Sequence, residues 1–464
     1  MINKREIVLG KVNEPVLFSN VAPTLLTDET IVERKSKLLA VMKKEGFQTL
    51  VIYADKEHGS NFEYLTGFIP RFEEGLLIVE DSGECTVILG NENLKMAAFS
   101  RVPVTLKHSP LLSLPNQPMD NEQPLEDLFT ELGLDKNKKI GLVGWKMFTT
   151  KNSNPSTYFD LPYFIVEALK KVKHPEVELL NATYLFIGGE KGVRTTNNAN
   201  EIAHYEYGAN LASTCILNAM NAVDSGVTES ELGNLLTAEG QFNSVVTIAA
   251  AGQRFAKANL YPTHKKVQLG DPLSLTTAFK GGLSSRAGFV IHSEKELPEN
   301  QKDYLDRVAK PYYQAVVSWL EGIKIGMEGT ELYDLVEEVF PKASYNWHLN
   351  PGHLVSDEEW MSSPVYSGST EKLKSGMIFQ IDIIPSIAGY TGVSAEECIA
   401  IADQELQMEI KEQYPALWKR IATRRSYLEN ELNIHLSPDV LPLSNTVAYL
   451  RPFYLAKDQA FYCK

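Results

Sequence analysis

A histidine and three carboxylates stand in stretches that otherwise read as apolar core. His353 lies in NPGHLV, between a glycine and an apolar run. Asp382 interrupts GMIFQIDIIP, and Glu396 with Glu397 interrupts GVSAEECIAI. A carboxylate inside a strand loses hydration at a cost on the order of several kcal/mol unless it is paired, hydrogen-bonded or bound to a cation. Brought together from separate elements, a His, an Asp and a Glu can hold an amine, move a proton or hold a metal ion. The plainer alternative is two surface hairpins and a histidine that only satisfies Asp382.

Positioning such residues takes a scaffold, and the pattern along the chain describes one. Residues 32–46 carry Leu38, Leu39, Val41 and Met42 on one helical side and stop at Gly46. QTLVIYA reads as a strand, and GLLIVEDSGECTVILG as two strands around an Asp-Ser-Gly turn. A helix at Leu125–Leu132, a strand at KIGLVGW and a helix over 158–172 complete an α/β domain. The glycines of FIGGEKG at 186–192 mark its end, giving domains 1–188 and 189–464. The second opens with a helix over about 200–220, another from near Thr228, and a further long one over roughly 300–322. GVTESEL at 226–232 and GMEGTEL at 326–332 match each other, each following a long helix, which predicts a duplicated α/β unit around one sheet. VVTIAAAG and PLSLTTAF are its strand candidates.

Composition narrows the partners. The charge is −14, from 45 basic and 59 acidic residues, which disfavours nucleic acid and anionic membrane. No run approaches the roughly 18 apolar residues of a membrane helix and the N-terminus lacks a secretory apolar segment, so a cytoplasmic location is expected. Cys85, Cys215, Cys398 and Cys463 are too far apart for a close metal spacing and read as buried thiols. The tail holds Tyr449, Phe453, Tyr454, Phe461 and Tyr462, too aromatic to be disordered; it is expected to dock on the second domain, in a dimer interface, or over the pocket.

YLTGF at 64–68, the helix entry VRTTNNANEIAHYEYGANLA, GD at 270–271, GH at 352–353 and GM at 376–377 occur in an order that resembles one family. It is the family of creatinase, prolidase, Xaa-Pro aminopeptidase and methionine aminopeptidase. The resemblance covers nearly the whole chain and implies a creatinase-like N-terminal α/β domain followed by a pita-bread domain. Active peptidases of that family hold two divalent metals with two Asp, one His and two Glu. Matched in order, the Asp positions fall at Thr276 and in Ser284–Ala287, where there is no carboxylate; the others fall at His353, Asp382 and Glu396. Two further family histidines fall at Asn259 and Trp360. The resemblance therefore implies no dinuclear centre and no required cofactor, with a single divalent ion on His353, Asp382 and Glu396 as the alternative.

Creatinase, which works without a metal, shares the SL-polar-T string seen here as SLTT at 274–277. Its catalytic His falls at Asn259, and one of its substrate-holding Glu residues matches Glu396. What the resemblance implies is a hydrolase of a small C–N bonded peptide or amine compound, with His353 and Glu396 catalytic. Asn259, Thr276, Arg286, Trp360 and Asp382 would contact substrate, Arg286 as counter-ion to the acids. Phe68 and Arg71, in the segment 62–72, would reach a partner's pocket in a homodimer. The other reading is a noncatalytic descendant that binds a peptide, small amine or protein.

Overall fold

The computed structural model describes residues 5–136, 138–258 and 260–464. The chain forms two compact units, one of residues 26–195 and one of residues 1–25 with 196–464. The first strand, β1 (Ile7–Lys11), accounts for the second grouping: it pairs antiparallel with the last strand of the chain, Ile7 opposite Cys463. Asn200 Nδ2 donates to Leu25 O and Asn210 Nδ2 to Phe18 O, fastening the same N-terminal segment along a helix of that unit.

The unit of residues 26–195 is a six-stranded mixed sheet with helices. Its strands are β2 (Thr49–Ala54), β3 (Gly75–Glu80), β4 (Cys85–Leu89), β5 (Thr105–His108), β6 (Ile140–Val143) and β7 (Leu179–Asn181), in spatial order β5-β4-β3-β2-β6-β7. The expected hairpin is β3–β4. The helix expected from residue 32 starts at Asp28, because the Thr27 hydroxyl accepts from Thr30 N and sets the first turn. The one expected over 158–172 begins only at Tyr163, after Pro162, whose fixed φ suits the entry to a helix but not its interior.

The other unit is built on a seven-stranded sheet: β8 (Ile248–Ala251), β9 (Pro272–Phe279), β10 (Gly282–Phe289), β11 (His353–Leu354), β12 (Ile378–Ile381), β13 (Ser394–Ile401) and β14 (Val440–Pro442). The order is β11-β12-β13-β10-β9-β8, with β14 on β13, and β15 (Gln459–Cys463) pairs β1 apart from it. Leu275, Ile381 and Ile399 share this sheet as expected; Val246 falls just before β8.

The duplication is visible bond by bond. Gly226 N donates to Val267 O at 2.8 Å, and Gly326 N to Leu373 O at 2.8 Å. Thr228 and Glu231 form a capping box, as do Glu328 and Glu331. Further on, Gly270 N donates to Val290 O at 2.9 Å, and Gly376 N to Ile401 O at 2.8 Å. The strand pair β9–β10 thus corresponds to β12–β13. In the first pair a tight turn at Gly281 joins the strands; in the second, residues 382–393 swing out between them.

The helix Ala199–Ala222 packs along the sheet, its first turn closed by an Asn198–Glu201 capping box. It approaches so closely that a Cβ on Gly208 would lie 1.7 Å from Lys280 O, so only glycine fits. Buried Glu206 on this helix pairs with Arg420 and with Arg424, the latter at 2.7 Å, tying it to the helix Pro415–Asn430. The aromatic tail docks within this unit: Tyr449, Phe453, Tyr454 and Phe461 are buried, and Phe461 packs on Tyr313 at 5.4 Å between ring centroids. All four cysteines are free and buried. Among the described residues, no helix is long and apolar enough to cross a membrane.

Candidate functional site

Strand register assembles the site. Thr276 on β9 pairs with Ser285 on β10, Ser285 pairs with Glu396 on β13, and Ile381, the residue before Asp382, pairs with Glu397. Side chains alternate faces along a strand. Thr276, Ser285, Glu396 and Asp382 therefore lie in a row on one face, and all four line a cavity of about 1020 Å³.

One half of the row is neutral. Thr276 Oγ1 lies 2.8 Å from Ser285 Oγ, and Ser394 Oγ lies 3.0 Å from Ser285 Oγ and 3.1 Å from Glu396 Oε1. A chain of hydroxyls runs where the resemblance calls for metal-bridging carboxylates. Two close cations need such bridges to offset their repulsion. These residues do not fit a dinuclear centre.

The other half is acidic. His353 on β11 is fully buried, with Nδ1 3.1 Å from Leu354 O. A carbonyl only accepts, so Nδ1 carries the proton and Nε2 faces the acids. Nε2 lies 3.1 Å from Glu359 Oε1 and 3.8 Å from Asp382 Oδ2. These are ion-pair distances; His353 Nε2 and the other Asp382 oxygen, Oδ1, are both buried without a hydrogen-bond partner. Ligand atoms of His353, Glu359 and Asp382 lie within 4.8 Å of one another, a donor set that fits one divalent cation. Glu396, expected as the third ligand, is outside this cluster, which has Glu359 in it instead.

Electrostatics follow from burial. Burial disfavours the His353 imidazolium, but the contact with Glu359 and the charges of Glu359 and Asp382 outweigh it, so its pKa is raised. Burial lifts Asp382 to about 6, against the opposing pull of His353. Burial, then the charges of Asp382 and Glu359, push the Glu396 carboxyl well above the usual carboxylate range.

Trp360 stacks on His353 at 4.1 Å between centroids and 24° between planes, and its outer face lines the cavity. His353 itself does not line it. Arg286, expected as the counter-ion of the acids, lies elsewhere: Ser285 faces the cavity, so the next residue points to the opposite face. There Arg286 Nη2 bonds Glu397 Oε1 at 2.7 Å and Thr446 O at 2.6 Å, and Nε bonds Tyr449 O. Glu397 also accepts from the Thr446 hydroxyl. The tail thus completes a buried ion pair behind the sheet; none of its residues is among those lining the cavity.

Phe68 and Arg71 belong to the unit of residues 26–195. Phe68 is buried there, edge-on to Phe62 at 5.3 Å, which makes it a core residue and not an exposed contact for a second chain. Asn259 lies outside the described residues. Glu359 was missed by reading motifs in order. Its signal was the acidic run DEE directly after HLVS, one residue short of the position where a histidine was sought.

Comparison with known proteins agrees with this architecture. Residues 203–403 match the profile of metallopeptidase family M24. The Xaa-Pro dipeptidase of Lactobacillus helveticus is 26% identical over 188 residues, 38% of this chain and 50% of that protein. The matched stretch thus spans about half the length of that curated relative. Three solved structures share the two-domain fold. A prolidase from Thermococcus sibiricus has a TM-score of 0.63 at 20% identity, covering 81% of this chain and 95% of that one. A prolidase from Pyrococcus horikoshii OT3 has 0.60 at 20%, covering 80% and 95%. An Xaa-Pro dipeptidase from Bacillus anthracis has 0.59 at 18%, covering 81% and 96%.

Proposed function

We propose, from the match of residues 203–403 to metallopeptidase family M24, that the chain is a hydrolase of small amine-headed C–N substrates, peptides or amides, working with one divalent cation at most. The observation that carries this reading is the buried cluster of His353, Glu359 and Asp382, in which His353 Nε2 and Asp382 Oδ1 have no hydrogen-bond partner and whose two carboxylates line the cavity. His353, Glu359 and Asp382 would hold the ion, with His353 as ligand in place of the base expected from the motifs. A cation bound there supplies a Lewis acid for an acyl carbon.

The other roles fall to side chains of this chain. Glu396, whose carboxyl is pushed toward its protonated form by burial, donates a proton to the leaving nitrogen as the C–N bond breaks and its electron pair stays on nitrogen. Water oxygen goes to the acyl carbon, and its proton restores the Glu396 carboxyl. Ser394, Ser285 and Thr276 hold that carboxyl in place through the hydroxyl chain. Trp360 covers His353 and keeps its ring out of bulk water. The second reading is a binding module for an amine or peptide. It is favoured by the hydroxyls at Thr276 and Ser285, which remove half of the family's metal site. A homodimer is part of both readings.

The test is hydrolysis of aminoacyl amides and dipeptides by protein loaded with Mn²⁺, compared with Glu396→Gln. Turnover that falls by about 10²-fold or more in the variant supports the hydrolase. Ligand binding without turnover in the unaltered protein supports the binding module.

A further inference from the structure

The cavity has an acidic head and no cation of its own. Glu359, Asp382 and Glu396 line it, and no lysine, arginine or histidine is among its described lining residues. The nearby basic group, His353, is fully buried beneath Trp360. Most of the remaining wall is apolar, including Val246, Phe255, Leu260, Leu349, Ile384 and Tyr390. Oδ1 of Asp382, buried, without a hydrogen-bond partner and on a cavity-lining residue, points independently of charge to a ligand at this head.

Such a wall decides what the far end of a substrate can be. A free carboxylate there would give up its hydration with no side-chain cation among the described lining residues to replace it. An uncharged alkyl or aromatic tail would instead bury apolar area against these side chains, in a volume at the upper end of small-ligand pockets.

Resting on the hydrolase reading, we infer that the substrates are aminoacyl amides with an uncharged apolar tail, and that free dipeptides are discriminated against. The products are then an amino acid and an apolar amine. Selection is exerted by the wall, before any bond is broken.

A matched pair tests this: leucyl-leucine, and leucine isoamylamide, which is the same molecule without the terminal carboxylate. Binding of each to the Mn²⁺-loaded full chain is measured by calorimetry, and hydrolysis by mass spectrometry. The amide is expected to bind at least about tenfold more tightly. Ile384→Arg, which adds a cation at a cavity-lining position 46% exposed, is expected to tighten leucyl-leucine and not the amide. Equal or tighter binding of leucyl-leucine by the unaltered protein, or no binding of either compound, overturns the inference. Preferential binding of the amide without turnover of either compound upholds the selectivity and defeats the hydrolase reading. Faster turnover of leucyl-leucine does the reverse.

Discussion

Thr276 and Asp382 occupy the same position in the two halves of one sheet. The offset that carries Gly270 onto Gly376, each donating its N–H to the closing strand, carries Thr276 onto Asp382. Likewise, the offset between Val290 and Ile401 carries Ser285 onto Glu396. One half presents two hydroxyls where the other presents two carboxylates. That asymmetry leaves a carboxylate pair on one side only, where bridging two close cations takes carboxylates on both.

If the missing carboxylates alone separate this site from a dinuclear one, restoring them should add an ion. Thr276→Asp with Ser285→Asp is expected to raise the Mn²⁺ bound per chain from one to two, read by native mass spectrometry. A stoichiometry that stays at one would show that geometry, not ligand chemistry, excludes the second ion.

Arg286 and Glu397 form a buried pair facing away from the cavity. Removing one partner of such a pair leaves an uncompensated charge, at a cost of about 3–5 kcal/mol. Arg286→Met should destabilise the fold by that amount in urea unfolding, and adding Glu397→Gln should recover part of it. Ligand binding in the cavity should stay within about twofold at temperatures where the variants remain folded.

Glu206 is buried between Arg420 and Arg424. Burial alone would raise its pKa, but Arg424 and then Arg420 outweigh it, so the folded value lies below the ordinary 4.5. A depressed carboxylate stabilises the fold above its unfolded pKa and loses that contribution as pH falls through the folded value. Glu206→Gln should cost about 3–5 kcal/mol at pH 7. The gap to the unaltered protein should stay constant down to about pH 5 and narrow below about 4.5.

Trp360 lies against His353 and is 36% exposed. Trp360→Ala should cost about 0.5–1.5 kcal/mol of stacking beyond lost area. It should also make His353 reactive toward diethyl pyrocarbonate, followed by peptide mass spectrometry; an unreactive His353 in the variant would deny Trp360 its covering role.

Much of this was legible in residue order. The GVTESEL and GMEGTEL strings announced the duplication, because a glycine at positive φ followed by a capping box is a local signal. His353, Asp382 and Glu396 announced themselves as polar interruptions of apolar runs. Arg286 was misplaced, although alternation along β10 already put it opposite Ser285; matching motif order overrode strand period. Glu359 sits in a loop, where no period ties a side chain to a face. Phe68 was expected to reach a partner's pocket; instead the chain turns back after the short helix Ser60–Thr66 and sets Phe68 edge-on to Phe62, a fold-back that composition does not reveal.

The central claim is a single cation site on His353, Glu359 and Asp382. Mn²⁺ titration of metal-free protein by calorimetry, with Glu359→Gln and Asp382→Asn alongside, tests it most directly. The account predicts one ion per chain, bound at least about tenfold more weakly in each variant. Two ions per chain, none, or one ion whose affinity neither substitution changes would contradict it.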